Sequence, residues 1–555
     1  MRLLWVATLL AGTVPALGAQ DLPKVEATSP GHAICSGDDG APKRPMLLTG
    51  YGKGGFAITT PVPLAQQYFD NGMQLGAAFA HKASIAAMRE AVRLDPSCAM
   101  CLWGDAWASG PTINYGIEPA DRAKQAAKLL TAEKLAATSG TPLERDLIAA
   151  LKLRYMADGK TGSANLAYAA AMDRIADAHP DDNALATLAA DARLIASFDQ
   201  KRKLGRASQY RSIDLLQTVL ARDPDYTPAI HFYIHATEIV EVPDRATPYA
   251  DRLRALAPSA SHLVHMPSHT YYWIGRYQDA ADANVRAVAL GIDNARRLGM
   301  TLPDGVWDLP YHAHNVHFGV GGAMMSGDAK TALLLSDPLI AIAAKRDKGS
   351  VFQQAVAGMG YAAEGRFADP AAVMALPEPG LPYARAFWHY GRGEALARRG
   401  DAAGVRAEAA AIFGQLRGKD ALTDTAGGRL AKIAALVLTG RAAMIDRRPD
   451  AALKAFRTAM KIEEAAPISG YSDPPVWWYP IRRSVAEARL VAGDAKGALA
   501  DAETTLKRRP NDPMTLAVRA RAQAALGDAA AARGDARAAL AGWRGDRRAF
   551  RRTLI

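Results

Sequence analysis

From about Pro63 almost to the C-terminus, apolar residues fall at helical spacing over stretches one helix long. Each stretch gives way to a short polar or Gly/Pro break, after which the pattern resumes. Alanine-rich runs and a scarcity of β-branched ones make these stretches helices. The breaks are periodic. Asp223-Pro224 and Pro258 each close a helix, with the two prolines 34 residues apart, and the turn-like doublets Gly493-Asp494 and Gly527-Asp528 repeat the same interval. Gly275-Arg276-Tyr277, Gly365-Arg366-Phe367 and Gly400-Asp401 read as the same turn elsewhere, and Asp95-Pro96 and Arg509-Pro510 as stops near the two ends. Small residues at such turns let paired helices pack closely, and proline cannot continue a helix.

Thirty-four residues is the period of the tetratricopeptide repeat, a helix-turn-helix unit that stacks into a solenoid. The expected fold is therefore all-α, a tetratricopeptide-repeat-like superhelix of antiparallel helix pairs, roughly nine to eleven of them. A chain of 555 residues is too long for one ordinary compact core but suits a repeat array. Residues 1–19 read as a signal peptide: Arg2, an apolar stretch from Leu3 to Val14 too short to span a bilayer, then small residues at Ala16, Gly18 and Ala19. Residues 20–62 lack helical periodicity and read as an extended lead-in. An N-terminal array follows over 63–370 and a C-terminal array over 371–545, with Gly/Pro/Leu-rich inserts near 290–310 and 367–385. A basic tail occupies 546–555. No other segment is an uninterrupted apolar run long enough to cross a membrane, so the expected location is periplasmic or secreted.

Eight of the twelve histidines lie between His231 and His317. His231 and His235 stand four apart, and His265 and His269 repeat that pair 34 residues later. His312, His314 and His317 form a third cluster. Each cluster falls on the first helix of a repeat, the helix that lines the concave face. Residues four apart share a helix face, so each pair presents two imidazoles together. Packed helices lie about 8–10 Å apart, close enough for rings from neighbours to meet on one ion. Neutral imidazole suits Zn, Cu, Fe and Ni. The expected metal ligands are His231, His235, His265, His269, His312, His314 and His317, with copper the first choice and iron or zinc behind it. Glu238, which continues the His235 face, and His262 are the candidate proton-moving groups. Asp279, Asp308, Asn315 and Tyr311 are candidates for orienting the ligands. Tyr233, Tyr271, Tyr272 and Trp273 are expected to line a groove for a small organic molecule. Two other readings stay open: ring nitrogens that serve a non-metal ligand, and histidines that only pack.

Cys98-Ala-Met-Cys101 opens a helix. A structural disulfide is the leading reading, ahead of buried thiols or a metal or redox role, and the residue after Cys101 is Leu102, where a c-type haem needs histidine. Tyr471 to Tyr479 is an aromatic, proline-broken stretch, a wedge between repeats or a stacking surface. The net charge of +11 is scattered apart from Arg544–Arg552, with no aromatic-interleaved basic patch, so no nucleic-acid partner is expected. No phosphate-binding loop, nucleophile elbow or His-Glu-x-x-His helix is present.

Cys98-Ala-Met-Cys101-Leu-Trp-Gly, His265-Met-Pro-Ser-His269 with Gly275-Arg-Tyr, His312-x-His314-Asn-Val-His317-Phe and Pro474-Pro-x-Trp477 resemble motifs of a family of secreted bacterial tetratricopeptide-repeat proteins. The resemblance spans most of residues 64–530. It implies the repeat fold and weight on these histidines, and no particular reaction. Ala80, before His81, departs from the family's more polar residue. The reading taken forward is an exported solenoid with a transition-metal site in its groove, acting as a metal-dependent oxidoreductase or hydrolase on a small organic substrate. The alternatives are a scaffold for a peptide or protein partner and a metal-delivery protein.

Overall fold

The computed structural model describes residues 45–156, 161–199, 206–346, 348–417, 426–470 and 474–552. The expected signal segment, most of the lead-in and the last three residues lie outside them. The described chain is a succession of helices. The first half comprises α1 (Pro63–Ala77), α2 (His81–Leu94), α3 (Ala99–Ala108), α4 (Pro119–Ser139), α5 (Pro142–Met156), α6 (Thr161–Ala178), α7 (Asn183–Asp199) and α8 (Arg206–Arg222). Then come α9 (Thr227–Ile239), α10 (Thr247–Leu256), α11 (Ser261–His265), α12 (Pro267–Ile274), α13 (Tyr277–Arg297), α14 (His312–Ser326), α15 (Ala329–Lys345) and α16 (Val351–Phe367). Successive helices pack as hairpins, and α1, α3 and α5, then α7, α9 and α12, then α14 and α16 also touch across each pair, forming an inner row. This is a tetratricopeptide-like helical solenoid. No described helix is long and apolar enough to cross a membrane.

The Gly-Asp doublets show how the sequence writes the turns. Gly327, Gly400, Gly493 and Gly527 all adopt positive φ, between 75° and 89°, a conformation that side-chain-bearing residues resist. The aspartate that follows each one caps the next helix by accepting a backbone N–H: Asp328 from Thr331, Asp401 from Gly404, Asp494 from Gly497 and Asp528 from Ala531. Gly365-Arg366-Phe367, expected to be such a turn, is instead the last turn of α16. A Cβ on Gly365 would sit 2.4 Å from the carbonyl oxygen of Gly391, so this glycine is a crossing point where two helix backbones meet, not a bend.

The solenoid coils back on itself. The extended segment before α1 reaches α9 and the turn before α11: the Lys53 N–H donates to Thr227 Oγ1 at 2.7 Å, and the Ser259 N–H donates to the Gly50 carbonyl at 2.9 Å. From the other side, the Tyr272 hydroxyl donates to the Trp478 carbonyl and the Tyr277 hydroxyl to the Pro510 carbonyl. One buried apolar cluster runs from Tyr51 to Ala280 and a second from Tyr272 to Ala488. They meet at α12, where Tyr271 belongs to the first and Tyr272 to the second. The histidine-bearing helices stand at that seam. Of the residues expected to line a groove, Tyr233, Tyr271 and Tyr272 are buried side chains. The Tyr271 hydroxyl donates to Asp251, and Tyr233 packs edge-on against Tyr249. Apolar ring faces are worth more in the core than in water, so this coil closes over them.

Candidate metal centre

α9 places His231 and His235 on one face. α11 and α12 form a helix broken at Pro267, which lacks the N–H that a continuous helix needs there. The restart preserves the four-residue geometry of His265 and His269, whose Nε2 atoms lie 3.0 Å apart. Across the α9–α11 boundary, His231 Nε2 and His262 Nε2 are 3.2 Å apart. Two groups of three donor atoms lie within 4.8 Å of one another: His231, His235 and His262, and His265, His269 and His314. A third, His235, Glu238 and His269, links them.

The hydrogen bonds on the far side of each ring fix where its lone pair points. His231 Nδ1 faces the Ala77 carbonyl at 2.7 Å. His265 Nδ1 faces Asn284 Oδ1 at 2.7 Å, and Asn284 is oriented by its own amide, which donates to the Ala280 carbonyl at 2.7 Å. His269 Nδ1 faces Glu238 Oε2 at 2.8 Å. A carbonyl, an amide oxygen and a carboxylate accept only, so each Nδ1 carries a hydrogen and, in the neutral ring, each Nε2 is a bare acceptor. His265 and His269 therefore point lone pair at lone pair across 3.0 Å. That contact is repulsive unless a cation sits between the nitrogens. Burial, then the neighbouring imidazoles, push His235, His262 and His265 well below the usual histidine range, and burial brings His231 down to about 3 against the opposing pull of the Ala77 carbonyl. A metal ion fits the spacing. Imidazole nitrogens about 2.0–2.1 Å from one ion lie about 2.9 Å apart at a right angle and about 3.3 Å apart at the tetrahedral angle.

The surroundings are aromatic. Phe79 stacks on His262 at 4.8 Å and meets His231 edge-on at 4.5 Å, Tyr311 lies 4.4 Å from His262, and Phe318 touches His265, His269 and His314. Asn114, from the loop after α3, donates to the Tyr311 hydroxyl at 3.1 Å, and His81 lies against Phe79 and Tyr311. Phe79 occupies the turn position that glycine holds elsewhere, with φ of 55°. Solvent reaches the centre beside His314 and Glu238, which are partly exposed. Glu238 also accepts the Trp273 indole N–H at 2.9 Å.

Several placements differ from expectation. His262 stands among the candidate donor nitrogens with His231 and His235, and Glu238 accepts from His269 Nδ1. His312 and His317 enter none of the donor groups among the described residues. His312 is two residues before His314, about 200° round the helix, and packs against Trp307 at 4.8 Å. His317 lies one turn deeper, where Phe318 takes the place beside His265 and His269. Asp279 pairs with Arg276 and Asp308 with Arg346, while Asn315 donates to Ser261. The orienting groups are Ala77, Glu238 and Asn284, and of these Ala77 and Asn284 were missed. A main-chain carbonyl 154 positions away and one buried asparagine leave no mark in a linear pattern. Cys98 and Cys101 are joined as a disulfide at the start of α3.

No family model and no curated protein matches this chain. Solved structures similar to it include the tetratricopeptide-repeat domain of P58(IPK), at 12% identity over 83% of this chain and 98% of that one with a TM-score of 0.21. Human IFIT1, as a dimer with m7Gppp-AAAA, gives 12% over 87% and 91% with a TM-score of 0.30, and yeast Tom70 gives 11% over 83% and 89% with a TM-score of 0.27. Likeness at this level concerns the helical-repeat fold alone.

Proposed function

We propose that this chain is an exported helical-repeat scaffold built around a transition-metal centre, with His231, His235, His262, His265, His269 and His314 as ligands. Copper is the first choice and iron or zinc the next. The observation that carries the reading is the 3.0 Å approach of the Nε2 atoms of His265 and His269, whose Nδ1 atoms are taken up by Asn284 and Glu238, in a site where both rings are buried. An all-imidazole donor set with no thiolate suits borderline ions. The finer reading is oxidation or hydrolysis of a small organic molecule at a coordination position left open by three histidines. The apolar stretch Leu3–Val14 and the resemblance to secreted bacterial repeat proteins support export to a periplasm.

The test is elemental analysis of the purified full-length protein beside a His265→Ala/His269→Ala variant. Copper, iron or zinc at a fixed stoichiometry that falls in the variant supports the metal reading. No metal in either, after incubation with each ion, removes it. The repeat architecture favours a second reading, a scaffold that docks a peptide or protein partner on its solenoid surface. Under that reading, partner affinity is indifferent to chelator and to His265→Ala.

A further inference from the structure

We propose that the centre holds two neighbouring ions, one on each trio of imidazoles, and that the two trios are copies of one ligating unit displaced by a single repeat. This rests on the metal reading above and adds its nuclearity and its origin in the fold.

The unit has a fixed grammar. Two histidines four apart on an inner helix are joined by a third from the inner helix that follows. In the first copy α9 supplies His231 and His235, and α11 supplies His262. In the second, the α11–α12 helix supplies His265 and His269, and α14 supplies His314. The step from His231 to His265 and from His235 to His269 is the 34-residue repeat itself. The middle helix serves both copies, because His262 and His265 are three residues apart and so fall on one face.

Distances separate two ions from one. Ligands of a single ion at about 2.1 Å are at most about 4.2 Å apart, even when trans. The six nitrogens do not meet that limit together. Among the described residues the donor atoms within 4.8 Å of one another fall into trios, with no set of four or six. Each trio has its own close pair, His231 with His262 at 3.2 Å and His265 with His269 at 3.0 Å, and the pairs share no nitrogen. The trios nevertheless abut. The rings of His235 and His269 are 5.2 Å apart, those of His262 and His265 are 5.5 Å apart, and Glu238 stands at the border with one histidine from each trio. Two ions held this way are neighbours, with Glu238 between them. Each keeps a position free for a small shared ligand.

The experiment uses full-length protein stripped with chelator and reloaded with Cu(II). Copper per chain is measured by native mass spectrometry, and spins per copper by integrated electron paramagnetic resonance. The expected result is two coppers per chain with well under two spins, since neighbouring ions couple. The variants His231→Ala/His235→Ala and His265→Ala/His269→Ala each then keep one copper with a full spin. One copper in the unsubstituted protein, lost in both variants, overturns the pair and leaves the metal reading standing. Two coppers with two full spins overturn the adjacency. No copper at all overturns the metal reading itself. Should a variant fail to fold, copper count and spin count on the unsubstituted chain still decide.

Discussion

Replacing Glu238 with glutamine changes one oxygen to an amide nitrogen at a site where each of two donors has its own carboxylate oxygen. The carboxylate accepts from His269 Nδ1 at 2.8 Å and from Trp273 Nε1 at 2.9 Å. Glutamine offers one acceptor only, so its amide N–H faces one of these donors. His269 can relieve the conflict by moving its hydrogen to Nε2, where it then donates to His265 Nε2 across 3.0 Å. The metal-free protein is satisfied by that tautomer, and the metal-bound protein is not. A hydrogen bond to a charged group contributes about 1.5–3 kcal/mol and a neutral one about 0.5–1.5, so about 1–2 kcal/mol shifts against the bound state. At about 1.4 kcal/mol per tenfold, with the tautomer change added, affinity falls by about 10–100-fold, the range expected for partners that orient metal ligands. Competition with a chromophoric chelator measures the affinity, and thermal unfolding of the stripped protein measures the apo state. The expected result is weaker metal binding with apo stability equal or higher. Unchanged affinity with lower apo stability would refute the tautomer argument and make Glu238 an ordinary packing residue.

Other outcomes follow from the same geometry. Phe79 sits at φ 55° against His231 and His262, so Phe79→Ala loses about 3–5 kcal/mol of ring burial, while Phe79→Gly recovers about 1–2 of that through backbone relief; chemical denaturation should rank glycine above alanine, and the reverse order would dismiss the strain. Burial raises Glu463 from 4.5 to about 7, so its contribution to stability is full below about pH 4.5 and is lost as pH rises through about 7. Glu463→Gln keeps an oxygen for the Ile481 N–H and should flatten that decline, with melting curves at pH 4.5 and pH 8 as the check; parallel pH profiles for the two proteins would count against it. Chelation should raise amide hydrogen exchange in α9, α11, α12 and α14, where the two apolar clusters meet, and leave helices Pro513–Ala525 and Ala529–Gly542 unchanged. Exchange that rises uniformly, or not at all, would mean that the ions do not tie the seam.

The repeat grammar was legible because it is local. A Gly-Asp doublet needs one positive φ and one cap, both written in adjacent residues, and a histidine pair four apart shares a face on any helix. Gly365 misled because glycine serves two purposes, and only the neighbouring backbone of Gly391 tells a crossing from a turn. The third cluster divides for a rotational reason: residues two apart point to nearly opposite sides of a helix, so His314 joins a donor group and His312 does not. The groove failed because a coil tight enough to bring Ala77 against His231 leaves Tyr233 and Tyr272 inside. That closure depends on contacts between segments far apart in sequence, which periodicity does not encode. The same holds for Asn284, whose role exists only once α13 packs on α11.

X-ray absorption at the copper edge of the reconstituted full-length protein tests the central claim most directly. The account predicts a shell of about three nitrogen scatterers at about 2.0 Å with the outer-shell pattern of imidazole. It also predicts that His265→Ala/His269→Ala removes part of that shell. A first shell of oxygen or sulfur without the imidazole pattern, or a spectrum that the variant leaves unchanged, would place the metal elsewhere and reduce the histidines to packing.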